Sequence, residues 1–214
     1  MAKHTPTPQG RDIALDVAEA VRGRRSVRHF SPCPVPRETI EELVQAACLA
    51  PAPHHSRPWQ FVLLSQKVRT ALVQAMEEAW QRDLAADGVP PAQAEALLRR
   101  SRQRILFSPA LILCCLDMAQ ARPWPDPRRQ RAERDMFVQS LGAAIQNLQL
   151  LAHAKGLGTC IMAAPAFCQE DVKRALALPQ DWEPLFLLQL GYPHPSHRPP
   201  PRPPSPLDAI FKEL

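Results

Sequence analysis

Seven consecutive apolar residues, Ala110-Leu111-Ile112-Leu113-Cys114-Cys115-Leu116, stand between Ser108-Pro109 and Asp117. The run has the length of a strand. Without polar alternation it must be covered on both faces, which places it in the interior of a sheet with other elements above and below. Leu185 to Leu190 is a second strand of this buried kind, while Trp59 to Leu64 and Thr159 to Met162 have strand-like composition.

The segments between these strands carry helical spacing. Ile13, Val17 and Val21 recur at i, i+4 and i+8 in a helix from Asp12 to Arg22 that Gly23 ends. Pro36 opens a second helix, continued by Ile40, Leu43, Val44 and Ala47 to about Leu49. Leu72, Met76 and Trp80 mark a helix from Val68 to Ala86, broken by Asp87-Gly88-Val89-Pro90-Pro91, and a further helix runs from Ala92 to Ile105. Ala132 to Lys155 has apolar residues on more than one face and predicts a helix buried on several sides. Gln169 to Leu176 is a short helix. Asp117 to Arg131, rich in proline and charge, predicts a long surface loop and a candidate substrate lid. The tail from Pro193 to Pro206 holds eight prolines and should be extended polyproline II.

A chain of 214 residues, 45% hydrophobic, supports one domain from residue 12 to 214 behind a flexible N-terminus, residues 1–11. The sequence has no apolar stretch of membrane-spanning length and no hydrophobic leader, so a cytoplasmic protein without membrane attachment is expected. Cys33, Cys48, Cys114, Cys115, Cys160 and Cys168 have neither disulfide-framework nor metal-ligand spacing, so no metal is expected. A net charge of +5 permits nucleic-acid binding. Arginine is abundant throughout, however, and Glu95, Glu133 and Asp135 interrupt the basic clusters without aromatic interleaving, so no nucleic-acid partner is expected.

The chemistry-bearing residues fall in a few places. Arg24, Arg25, Ser26 and Arg28 crowd forked donors into five residues, an arrangement suited to clamping a phosphate but equally, on its own, a solvated basic turn. His54, His55, Ser56 and Arg57 follow Ala52-Pro53 just before a strand, where imidazoles act on substrate or cap the loop. Gly156-Leu157-Gly158-Thr159 follows a helix, so it is a weak phosphate-loop signal. Trp80 and Asp83 share a helical face, as substrate groups or simply as a core tryptophan and a surface aspartate.

In this order, Arg24-Arg25-Ser26-x-Arg28-x-Phe30, Ala50-Pro51 with Pro58-Trp59, Gly156-Leu157-Gly158-Thr159-Cys160, Leu190-Gly191-Tyr192-Pro193 and the basic tail resemble the nitroreductase superfamily of FMN enzymes. The resemblance implies an α+β fold, a mixed sheet of four or five strands wrapped by helices, in an interlocked homodimer with FMN at the interface and a tail that crosses to the partner. It implies FMN contacts from Arg24, Arg25, Ser26, Arg28, Ala52, Pro53, His54, Gly156, Gly158, Thr159, Arg198 and Arg202. Of the two tail arginines Arg202 is preferred, because Pro200 stands where a lysine is common. Substrate contacts fall to His55, Arg57, Trp80 and Asp83.

Ala50-Pro51-Ala52-Pro53-His54-His55-x-Arg57-Pro58, Trp80-x-x-Asp83-Leu84-Ala85-x-Asp87-Gly88 and Asp181-Trp182-Glu183-Pro184-Leu185 narrow the resemblance to the reductase domain fused behind the coenzyme F-420 glutamyl ligase. The implied activity is hydride transfer through bound flavin from NAD(P)H or another reductant to a small anionic or aromatic substrate. One such substrate is the unsaturated precursor of F-420. A general nitro, quinone or enone reductase, and a flavin- or deazaflavin-binding protein without turnover, are the alternatives.

Overall fold

The structure, a computed structural model, describes residues 16–213, so the expected flexible N-terminus and Ile13 lie outside the described residues. From the N-terminal side the chain forms α1 (Val17–Gly23), α2 (Arg37–Ala47) and β1 (Trp59–Leu63). The helices α3 (Gln66–Ala86) and α4 (Pro91–Leu106) follow, then β2 (Ala110–Asp117) and α5 (Pro127–Ala154). The chain closes with β3 (Gly158–Met162), α6 (Gln169–Leu176), β4 (Trp182–Gly191) and the four-residue α7 (Leu207–Ile210).

The four strands form one sheet in the order β1-β2-β4-β3, and every neighbouring pair is antiparallel. The mixed sheet expected from sequence is therefore corrected to an antiparallel one. Among the described residues the parallel element is a single bridge between Ser26 and Thr159.

The unbroken apolar run behaves as its composition requires, since all eight residues of β2 are buried. Ile112, Cys114 and Leu116 face the layer containing α2 and α5, where they meet Leu43, Phe137, Leu141 and Leu148. Leu111, Leu113 and Cys115 face the other way, onto Leu72, Val73 and Met76 of α3, Ile105 of α4 and Val172 of α6. Two cores thus share one sheet, and each fully buried leucine contributes about 1.5–3 kcal/mol relative to exposure. The register against β4 shifts between Cys114 and Cys115, so Leu185 has no direct partner and Pro184 is accommodated within a central strand.

The helix ends follow local chemistry. Gly88, at φ 71°, terminates α3 while the Val89 amide donates to the Leu84 carbonyl. The expected loop over Asp117 to Arg131 is shorter, because Pro127 occupies the first turn of α5 and the Asp126 carboxylate caps the Arg129 amide at 2.9 Å. What remains is tied down. The Trp124 indole donates to buried Glu133 at 3.2 Å and its backbone amide to Gln130 at 3.0 Å, so the expected candidate lid is tied to α5 at Trp124.

Candidate functional site

The first half of the arginine segment is built against the β3 edge. The Val27 amide donates to the Thr159 carbonyl at 2.9 Å, and Ser26 bridges Thr159. A Cβ at Gly158 would lie 2.5 Å from Val27 Cγ2 and 2.6 Å from its Cβ, so the approach of these two backbones requires a glycine. Gly156, at φ 75°, supplies the left-handed residue that turns α5 into β3. The α5 side is fastened by Gln149, whose Nε2 donates to Thr159 Oγ1 at 2.9 Å.

The junction opens on a cavity of about 210 Å³ lined by Arg24, Arg25, Gly156, Thr159, His153 and His197, among others. Arg202 reaches back from the tail to donate to the Arg24 carbonyl at 2.9 Å. Burial, then the Arg202 charge and then the Arg25 charge hold the Arg24 guanidinium below its ordinary value. None of the cavity's lining residues carries a carboxylate. The result is a recess with concentrated positive charge and forked donors, which suits a phosphate group.

The other expected residues fall elsewhere. Arg28 lies beyond the bridge, close enough to Arg104 for its charge to lower Arg104's value, behind the effects of burial and Arg100. Arg198 turns its guanidinium onto the carbonyls of its own turn, Pro195 at 2.8 Å and His197 at 2.9 Å. Trp80 and Asp83 line a separate, largely apolar cavity of about 490 Å³ with Met76, Phe167 and Cys168. There, burial pushes the Cys168 thiol up to about 11, with Asp171 and Asp83 adding to the rise.

The His54 segment also stands apart. His54, His55 and Arg57 all have positive φ, 52°, 56° and 49°, and all three are exposed. Three non-glycine residues in that region within four positions make a strained loop, of the kind that recurs at ligand clamps. It leads into Trp59 at the β1 edge, at the end of the sheet where Leu116 and Asp117 pair with Trp59 and Trp182. Gly158 lies on the opposite edge strand and pairs with Gly191 at the other end. The two candidate sites are at diagonal corners, separated by roughly 14 Å across the strands and on the order of 30 Å along them.

His153 and His197 did not stand out in the sequence. The position of His153 in the last turn of α5, three residues before Gly156, would have signalled its place at the recess. His197 reaches it through a turn in the tail, which carries no comparable signal.

The chain belongs to the nitroreductase family, whose pattern matches residues 21–192 and whose members are FMN-dependent oxidoreductases. It is 29% identical over 175 residues to the 5,6-dimethylbenzimidazole synthase of Rhodospirillum rubrum, covering 81% of this chain and 80% of that protein. The fold is similar to a BluB-like flavoprotein from Clostridium difficile, with TM-score 0.77 and 22% identity over 94% of this chain and all of that one. It is also similar to the FMN-dependent nitroreductase NfnB of Mycobacterium smegmatis in complex with NADPH, with TM-score 0.69 and 19% identity over 92% of this chain and 97% of that one. The recess beside Gly158 suits FMN in its donor set: Arg24 and Arg25 line it together with Gly156, Leu157 and Thr159, Arg25 Nη1 resting on the Arg22 carbonyl at 3.2 Å, and Arg202 adjoins it through the Arg24 carbonyl.

Proposed function

We propose that the chain is an FMN-dependent reductase that takes hydride from NAD(P)H and passes it to a second small substrate on the same flavin face, with ping-pong kinetics. The observation that carries this reading is the recess lined by Arg24 and Arg25, with Arg202 bonded to the Arg24 carbonyl, beside a Cβ-free Gly158. Bound FMN supplies the hydride-carrying ring. The chain supplies charge for the phosphate and close backbone for the ring.

The diagonal separation of this recess from the His54 loop supports a site made by two copies, because one flavin nucleotide held at the recess is too short to touch the same chain's loop. In a two-fold dimer each site would combine the recess of one subunit with Ala52, Pro53, His54 and His55 of the other. Gly156, Thr159 and Ser26, which bridges Thr159, are the proposed recess side, and Arg28 lies just beyond it. Arg57, Trp80 and Asp83 are the proposed substrate side.

For the acceptor, we propose the unsaturated precursor of the deazaflavin coenzyme F-420. Support comes from the His54-His55-x-Arg57-Pro58 and Asp181-Trp182-Glu183-Pro184 segments. Arg100 and Arg28 each lie close enough to Arg104 for their charges to act on it, and these arginines suit an anionic tail. Among the described residues no helix is long and apolar enough to cross a membrane.

The test begins with the visible spectrum of purified protein and identification of the chromophore released on denaturation. NADPH oxidation is then followed with the F-420 precursor, a nitroaromatic, a quinone and an enone, and formation of 5,6-dimethylbenzimidazole is assayed separately. A colourless protein that takes up no added FMN ends the flavoenzyme reading. Turnover of the nitro compound, quinone or enone but not of the precursor leaves a general reductase.

A further inference from the structure

The tail immediately after β4 is anchored before it reaches the recess. The Ser31 amide donates to the Tyr192 carbonyl at 2.8 Å, Phe30 bridges Pro193, and the His194 amide donates to the His29 carbonyl at 3.0 Å. The rings of His29 and His194 stack with centroids 4.3 Å apart. From this fixed point the chain makes a turn closed by the His197 amide on the His194 carbonyl at 2.7 Å, with the Ser196 amide donating to His194 Nδ1 at 3.2 Å. The turn sends Arg198 outward onto its own carbonyls and the His197 ring inward to the cavity wall.

His197 Nε2 is buried and has no hydrogen-bond partner among the described residues. A buried imidazole nitrogen without a partner is costly, and such groups point to an absent ligand or water. With its proton on Nε2 the imidazole needs an acceptor there: Arg24 and Arg25 are donors only, and Thr159 Oγ1 already accepts from Gln149. His153, the other imidazole of the recess, turns its Nε2 toward Gly23, 2.5 Å from where a Cβ would stand. A group offering several acceptor oxygens and negative charge would satisfy the imidazole N–H and the guanidinium forks together.

We infer that His197 is a phosphate ligand, donating its Nε2–H to the phosphate monoester of the flavin nucleotide alongside Arg24, Arg25 and Arg202. The inference rests on the FMN reading and adds a residue to it. It makes the tail turn at 194–197 part of the cofactor site, and it makes FMN preferred over riboflavin by a neutral donor as well as by cations.

The test is flavin binding to the full-length chain after removal of endogenous flavin, by fluorescence titration with FMN and with riboflavin, for wild type, His197→Ala and His197→Gln. The expected result is FMN affinity weakened about tenfold or more in His197→Ala, since a hydrogen bond to a charged group is lost, with riboflavin affinity unchanged. His197→Gln, whose amide N–H reaches a similar position, should recover part of the loss. The 31P resonance of bound FMN should move in His197→Ala.

FMN affinity unchanged in His197→Ala, with wild type binding FMN normally, overturns the role of His197 and leaves the flavoenzyme reading standing. Equal loss of FMN and riboflavin affinity also overturns it, since the residue would then only hold the tail. A wild-type chain that binds neither flavin overturns both.

Discussion

Gly158 and Val27 stand so close that a side chain at 158 would meet Val27 Cγ2 at 2.5 Å and Val27 Cβ at 2.6 Å. The contact holds the arginine segment against β3, since the Val27 amide is bonded to the next residue, Thr159. Contact with Val27 Cβ itself means that no rotamer change relieves it.

Gly158→Ala is therefore expected to push the two segments apart. Overpacking of this kind costs about 1–3 kcal/mol, and the displacement should carry Arg24 and Arg25 away from the recess. Thermal unfolding should show a lower Tm together with weaker FMN retention. Adding Val27→Gly, which removes the clashing atoms, should recover part of the retention; no recovery would mean that the close approach is not what positions the arginines.

Arg69 is 4% exposed and has no carboxylate partner among the described residues. Its guanidinium instead donates to the carbonyls of Leu64 at 3.2 Å, Ile105 at 3.4 Å and Ser108 at 2.5 Å, joining the ends of β1 and α4 to the start of β2. Arg69→Met keeps an unbranched apolar chain but leaves buried carbonyls without a donor. A loss of about 2–4 kcal/mol is expected from denaturant unfolding, without a direct effect on flavin affinity because the residue lies outside the recess.

Burial first, and the Arg24 charge second, hold the His153 imidazole below its ordinary value. Protonation therefore favours the unfolded chain. The group costs nothing above the unfolded value of about 6.5, and it destabilises as pH falls from there through the lower folded value. Flavin-free wild type should lose more Tm between pH 7.5 and pH 5.5, values on either side of the unfolded value, than His153→Gln does. Parallel curves for the two proteins would remove His153 as a source of the acid sensitivity.

The sequence carried most of the element positions because each rests on local pattern. The buried run gave β2, and the i, i+4 spacing of Leu72, Met76 and Trp80 gave α3. Two misreadings have different causes, one local and one not. Proline and charge at Pro125-Asp126-Pro127 suggest a loop, yet the same residues cap and start α5. Strand direction was not legible, because it depends on how crossovers pack and not on strand composition. The arginines of the recess were visible as a cluster. Their coupling to Gly158 depends on the contact of Val27 with a residue 131 positions later in the chain, and His197 depends on a turn anchored by stacking on His29. Neither has a periodicity to reveal it.

The diagonal placement of the recess and the His54 loop gives a prediction that depends on their separation alone. Two differently tagged chains are co-expressed, one carrying Arg24→Ala with Arg202→Ala, the other His54→Ala with His55→Ala. Each homodimer should be poorly active. If every site takes its recess from one subunit and its loop from the other, the heterodimer holds one doubly damaged site and one site built wholly from native parts. NADPH-dependent turnover by the purified heterodimer should then return to half that of the native dimer. If the sites were contained within single chains, both sites of the heterodimer would be damaged and no activity would return.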